Sequence, residues 1–217
     1  MKELFSILSI LVLFLAPAHS QEEAPRGLLN FVNLIPGSAR CAVSINGKEM
    51  MPEGMICGAE TGWFSLPAGH LNITAKSGEL RPVSDSIALK ANIGTVIAIY
   101  LLPNPKLGSD GSPLPPKIRL KAFRTYETGT YCLKIVSLCR DANTFEFGPV
   151  KVVLKPSELF EIRTWSGAAF DVSSGGKVIG KIADSPQKEN CYVFVAPAAD
   201  GTFFAAKANA DQLGIRR

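Results

Sequence analysis

From residue 28 onward the chain is a succession of short apolar or alternating runs set apart by turn residues. Residues 28–34, 41–45, 63–66, 71–75 and 96–102 form the first group. Runs of this length with a period near two, bounded by Gly, Pro, Asn and Ser, predict β-strands. Asn46-Gly47 predicts a tight hairpin, because both residues tolerate positive φ. Pro67-Ala68-Gly69 and Ser77-Gly78 predict turns. No window of helical length carries a 3.6-residue apolar period with capping residues.

A change of composition divides the chain. Residues 103–116 hold five prolines and two glycines without apolar periodicity, and predict a semi-rigid linker. Strand signals then resume at 118–122, 132–138, 150–154, 159–164, 170–172, 177–182, 192–195 and 203–207. The two halves share spacings. Leu29 precedes Cys41 by twelve positions, as Leu120 precedes Cys132; Cys57 precedes Pro67 by ten, as Cys139 precedes Pro149. Trp63 and Phe64 lie just ahead of the first proline, and Phe145 and Phe147 just ahead of the second. The expected fold is therefore all-β, with two tandem small β-sandwich (Ig-like) domains at 26–102 and 117–209 and a tail at 210–217.

The N-terminus adds a compartment. Lys2 is followed by an apolar stretch over residues 4–15, and Ala18-His19-Ser20 places small residues before a cut ahead of Gln21. This is the layout of a signal peptide over residues 1–20. The stretch is shorter than the roughly 20 residues that cross a bilayer core. A periplasmic or secreted protein is expected, not an integral membrane protein. The 47% hydrophobic and 19% charged composition predicts a folded core. The net charge is +4, and loss of Lys2 together with Glu3 leaves it unchanged. That excess is too small for nucleic acid, yet compatible with an anionic partner.

Export permits disulfides, and the matched spacings pair Cys41 with Cys57 and Cys132 with Cys139. Cys191 remains over, read as a buried thiol at the start of an apolar strand. No metal site and no cofactor are expected. There is no C-x-x-C pair, and His70 is the one histidine beyond the leader. No nucleophile elbow, phosphate loop or dinucleotide fingerprint occurs. Asp171 and Glu161 lie on expected strands with nothing to mark them as a pair. The reading is non-enzymatic. The candidate binding face is basic: Arg119 and Lys121 share one side of a strand whose other side carries Ile118, Leu120 and Ala122, and Lys151, Lys155 and Arg163 recur on later strands. Such a face would suit a carboxylate-bearing polysaccharide.

Several local patterns resemble the AlgF family, periplasmic proteins of bacterial alginate O-acetylation. They are the opening strand Leu29-Asn30-Phe31-Val32-Asn33-Leu34, the turn Phe64-Ser65-Leu66-Pro67-Ala68-Gly69, the proline stretch ending at Pro115-Pro116-Lys117, and Gly176-Lys177-Val178-Ile179-Gly180-Lys181 before a final apolar strand. The resemblance covers most of 26–207. It implies an accessory protein of exopolysaccharide modification, an adaptor or carbohydrate-binding protein acting beside a membrane acyltransferase and a periplasmic acetyltransferase. The alternative is an unrelated exported β-sandwich module for surface adhesion or envelope assembly.

Overall fold

A computed structural model describes residues 24–37, 39–125, 132–163, 165–184, 190–198 and 200–210. The leader expected at 1–20 and most of the tail lie outside the described residues. Among the described residues there are sixteen strands and no helix.

The first eight strands are β1 (Arg26–Leu34), β2 (Cys41–Ile45), β3 (Lys48–Glu49), β4 (Phe64–Pro67), β5 (Gly69–Ser77), β6 (Val83–Leu89), β7 (Gly94–Leu102) and β8 (Lys117–Arg124). They make an outer sheet in the order β3-β2-β5-β6 and an inner sheet in the order β4-β1-β7-β8. The next eight are β9 (Leu133–Ser137), β10 (Asn143–Phe147), β11 (Val150–Leu154), β12 (Leu159–Ile162), β13 (Phe170–Ser174), β14 (Lys177–Ile182), β15 (Cys191–Pro197) and β16 (Phe203–Asn209). Their sheets run β11-β10-β13-β14 and β12-β9-β15-β16. Adding eight to each label of the first pair of sheets yields the second. The protein is thus two β-sandwiches of one topology.

Burial explains the composition of each strand. At the centre of the inner sheets, β1 pairs parallel with β7 and β9 parallel with β15. All four are covered on both faces, and every residue of β9 and β15 is buried. Such strands read as continuous apolar runs. The outer strand β5 is covered on one face and alternates accordingly. Three apolar layers result. Leu29, Phe31, Val43, Ile73, Ile97 and Ile99 fill the first sandwich. Leu133, Ile135, Phe145, Phe147, Val172 and Val193 fill the second. Between the two inner sheets lie Val32, Val96 and Ala98 from one domain and Val136, Tyr192 and Phe194 from the other. Full burial of each large side chain contributes about 1.5–3 kcal/mol. The molecule is a four-layer stack with a shared middle.

Two sequence expectations change. The strand expected to open the second domain, β8, pairs antiparallel with β7 over its whole length. The proline-rich stretch 103–116 therefore joins two strands of one sheet, with Leu107 bridged to Pro113, and the domain boundary falls between Arg124 and Leu133. The matched spacings also do not mark the repeat. Leu29 is on β1 while Leu120 is on β8, and Cys41 opens β2 while Cys132 precedes β9. The true correspondence is visible at Asn33 and Ser137, near the ends of the equivalent strands β1 and β9. Asn33 Oδ1 accepts the Ile35 N–H at 3.0 Å, and Ser137 Oγ accepts the Cys139 N–H at 3.3 Å.

Candidate functional site: a basic strand edge beside the domain interface

Because β8 is an edge strand of an inner sheet, one of its faces looks toward the second domain. Ile118 and Leu120 turn the other way, into the first core. Phe123 packs against Tyr192 and Phe194, with ring centroids 5.6 and 5.1 Å away. The Tyr192 hydroxyl donates to the Arg124 carbonyl at 2.8 Å, tying the strand's end to the second domain. Lys121 Nζ lies 5.7 Å from the Phe123 ring centroid, and burial pushes the Lys121 pKa down. Arg119 stands across from Tyr100 on β7. Burial raises the pKa of that phenol and the Arg119 charge opposes the rise. Lys134 on β9 is 8% exposed, with its ammonium 5.9 Å from the Tyr192 ring centroid. Contacts of an ammonium with a ring face are favourable by about 0.5–1 kcal/mol at exposed sites, and by more when desolvated.

The five cations expected to share a face are not brought together on one sheet. Arg119 and Lys121 are on β8, in the first domain. Lys151 is on β11 in the outer sheet of the second domain, paired with Glu146 at 3.1 Å. Arg163 follows β12 and pairs with Glu161 at 3.4 Å. Lys155 sits in the turn after β11, where its N–H donates to Glu158. Assigning β8 to the first domain is what separates the set. Two of the later three are neutralised by carboxylates, whereas Lys117, Arg119, Lys121 and Arg124 on β8 have no ion pair among the described residues.

Two openings flank β8 on its β6 side. The larger, about 530 Å³, is lined by Ile87, Ala88, Phe123, Arg124 and Leu159 among others. The smaller, about 280 Å³, is lined by Arg81, Pro82, Val83, Lys117, Ile118 and Arg119 among others. A third cleft, about 420 Å³, lies on the opposite side of the first sandwich, where His70 and Lys48 border Met50 and Leu66. Asp171 and Glu161, the two carboxylates noted in the sequence, belong to different sheets. No three metal-ligating side chains converge among the described residues. Arg81 and Arg124 were missed by sequence reasoning. Arg81 precedes a strand too polar to recognise. Lys134, alone in the run Leu133-Lys134-Ile135-Val136, did carry a signal: a charge inside an apolar strand needs company.

The cysteines correct the expected pairing. Cys132 and Cys139 bracket β9, whose five residues rise about 3.3 Å each. Their separation exceeds about 16 Å, far beyond the roughly 7 Å between Cα atoms that a disulfide spans. The residue opposite Cys41 is Met55, through reciprocal backbone hydrogen bonds of 2.9 and 2.8 Å. Cys57 lies past that bridge, beside Gly58, whose N–H donates to Asn33. Cys41, Cys57, Cys132 and Cys139 are all free thiols, and burial pushes Cys41 up to about 12. The backbone neighbour of Cys191 is Cys132, whose carbonyl accepts the Cys191 N–H at 3.2 Å.

Compared with protein-family models and with curated proteins, the chain matches none.

Proposed function

We propose that this is an exported, non-catalytic adaptor or carbohydrate-binding protein of exopolysaccharide O-acetylation, working in the periplasm or outside the cell beside a membrane acyltransferase and a periplasmic acetyltransferase. The observation that carries the reading is β8. A strand edge with four cations and no neutralising carboxylate among the described residues is mounted on two sandwiches that share a core. An adaptor needs such a mount, because a stiff scaffold holds a docking strand at a set distance and angle from whatever the other domain contacts. Uncompensated cations at an edge attract anionic partners and raise encounter rates at low salt. The AlgF-like opening strand, aromatic–proline turn and late Gly-Lys segment support the same class of role.

The test is genetic. In a polysaccharide-producing bacterium that carries the gene, deletion should sharply lower the polymer's O-acetyl content, read by proton NMR of the purified polymer, while polymer yield persists. Complementation with the full chain should restore it. Unchanged acetyl content in the deletion strain would reject the reading and favour adhesion or envelope assembly.

A further inference from the structure

The first sandwich is open where its counterpart is shut. In the second domain the edges of β14 and β16 close on one another, and Gly180 lies so near the Ala205 backbone that any side chain there would collide with it. The equivalent strands of the first domain are β6 and β8. There the seam holds both openings, about 530 and 280 Å³, one above the other.

The charge of this seam is one-sided. Arg81, Lys117, Arg119 and Arg124 border it, and none has an ion-pair partner among the described residues. Asp85 is the one carboxylate on either strand, and it accepts the Ser86 N–H at 2.8 Å. The floor between the cations is aliphatic: Pro82, Val83 and Ile118 below, Ile87, Ala88 and Leu159 above. Leu159 is 43% exposed.

We infer that the seam docks an acidic polypeptide segment bearing aliphatic side chains, contributed by a partner protein. This rests on the adaptor reading and names the partner's chemistry. Charge complementarity selects an anionic segment. The floor selects peptide over sugar. A carbohydrate chain is gripped by flat ring faces, and the two rings that border the upper opening, Phe123 and Tyr192, pack against each other and against Phe194. Branched aliphatic side chains fill a floor of Pro, Val, Ile and Leu. The segment lies along the seam and does not enter it as a strand. β6 and β8 come within 8 Å, Cα to Cα, whereas an inserted strand needs about 9.6 Å, twice the inter-strand spacing.

The experiment uses the mature full chain and a fluorescein-labelled peptide alternating glutamate with valine, followed by fluorescence anisotropy. Comparison probes replace glutamate by lysine, or valine by serine, and a uronate oligomer serves as competitor. The acidic, aliphatic peptide should bind best, and binding should weaken as salt rises. Arg81→Ala with Arg119→Ala should weaken it several-fold, up to about tenfold. The charge-matched pair Lys177→Ala with Lys181→Ala, on the closed second domain, should leave it unchanged. All four side chains are on exposed residues, and matching melting curves would confirm that both variants fold. Equal binding of the lysine peptide, equal loss in the two double variants, or stronger binding of the uronate oligomer would each overturn the proposal. If the peptide fails while acetyl content still depends on the gene, the seam assignment falls and the adaptor reading stands.

Discussion

Cys41 illustrates how position decides the chemistry of a residue. Its side chain is fully buried in the first core, and burial alone raises its pKa from 9.0 to about 12. Below pH 9 the thiol is protonated in folded and unfolded chains alike. Between 9 and about 12 the unfolded chain releases a proton that the folded chain retains. Stability present below pH 9 is therefore lost as pH rises through that window, by at most about 4 kcal/mol. Burial shifts Cys57, Cys132 and Cys139 in the same direction. Melting temperatures taken from neutral pH to about pH 10.5 should fall, and should fall less steeply in Cys41→Ala. Parallel curves for the two proteins would contradict the assignment. Spacing alone could not reveal any of this. It matched cysteines by their distance along the chain, whereas pairing depends on which strands are neighbours, and β9 holds Cys132 and Cys139 apart by its full length.

At the scale of elements, legibility followed burial on one face or two. The outer strand β5 and the hairpin at Asn46-Gly47 were readable. Asn46 and Gly47 take φ of 51° and 79°, as the tight turn requires. Strand β6 was not readable, because its Ser84-Asp85-Ser86 centre is solvent-facing edge with little apolar content. Strand β10 was noticed only as an aromatic pair, although Phe145 and Phe147 alternate with Thr144 and Glu146 as a one-face-buried strand should. The runs that became β1, β7, β9 and β15 were recognised as strands, but their unbroken apolar character also meant cover on both faces, hence a second domain packed against the first. Within those runs the polar exceptions are structural. Asn33 is fully buried, and its Nδ2 donates to the Met55 carbonyl at 2.9 Å while its Oδ1 accepts from Ile35. Asn33→Leu would strand both partners in the core, at a cost of about 2–5 kcal/mol. Urea unfolding should show a clearly lower midpoint; an unchanged midpoint would mean that the loop ending at Met55 is not anchored there.

The whole molecule is described best as one topology used twice and joined back to back. Two sandwiches on a flexible tether would expose the outward faces of β1, β7, β9 and β15, with Tyr192 and Phe194 among them. Here those faces meet, and the aromatic cluster of Phe123, Tyr192 and Phe194 spans the boundary. The candidate site depends on this arrangement, since the second domain fixes the end of β8 through Tyr192 and supplies Leu159 to the upper opening. A rigid joint between the domains is thus the claim on which the adaptor reading leans. It is tested most directly by NOE spectroscopy on protein with labelled aromatic rings. Centroids 5.1 Å apart predict cross-peaks between the ring protons of Phe123 and Phe194, with a second set between Phe123 and Tyr192. Spectra that show Tyr192–Phe194 contacts within the second domain, but none from either ring to Phe123, would contradict it.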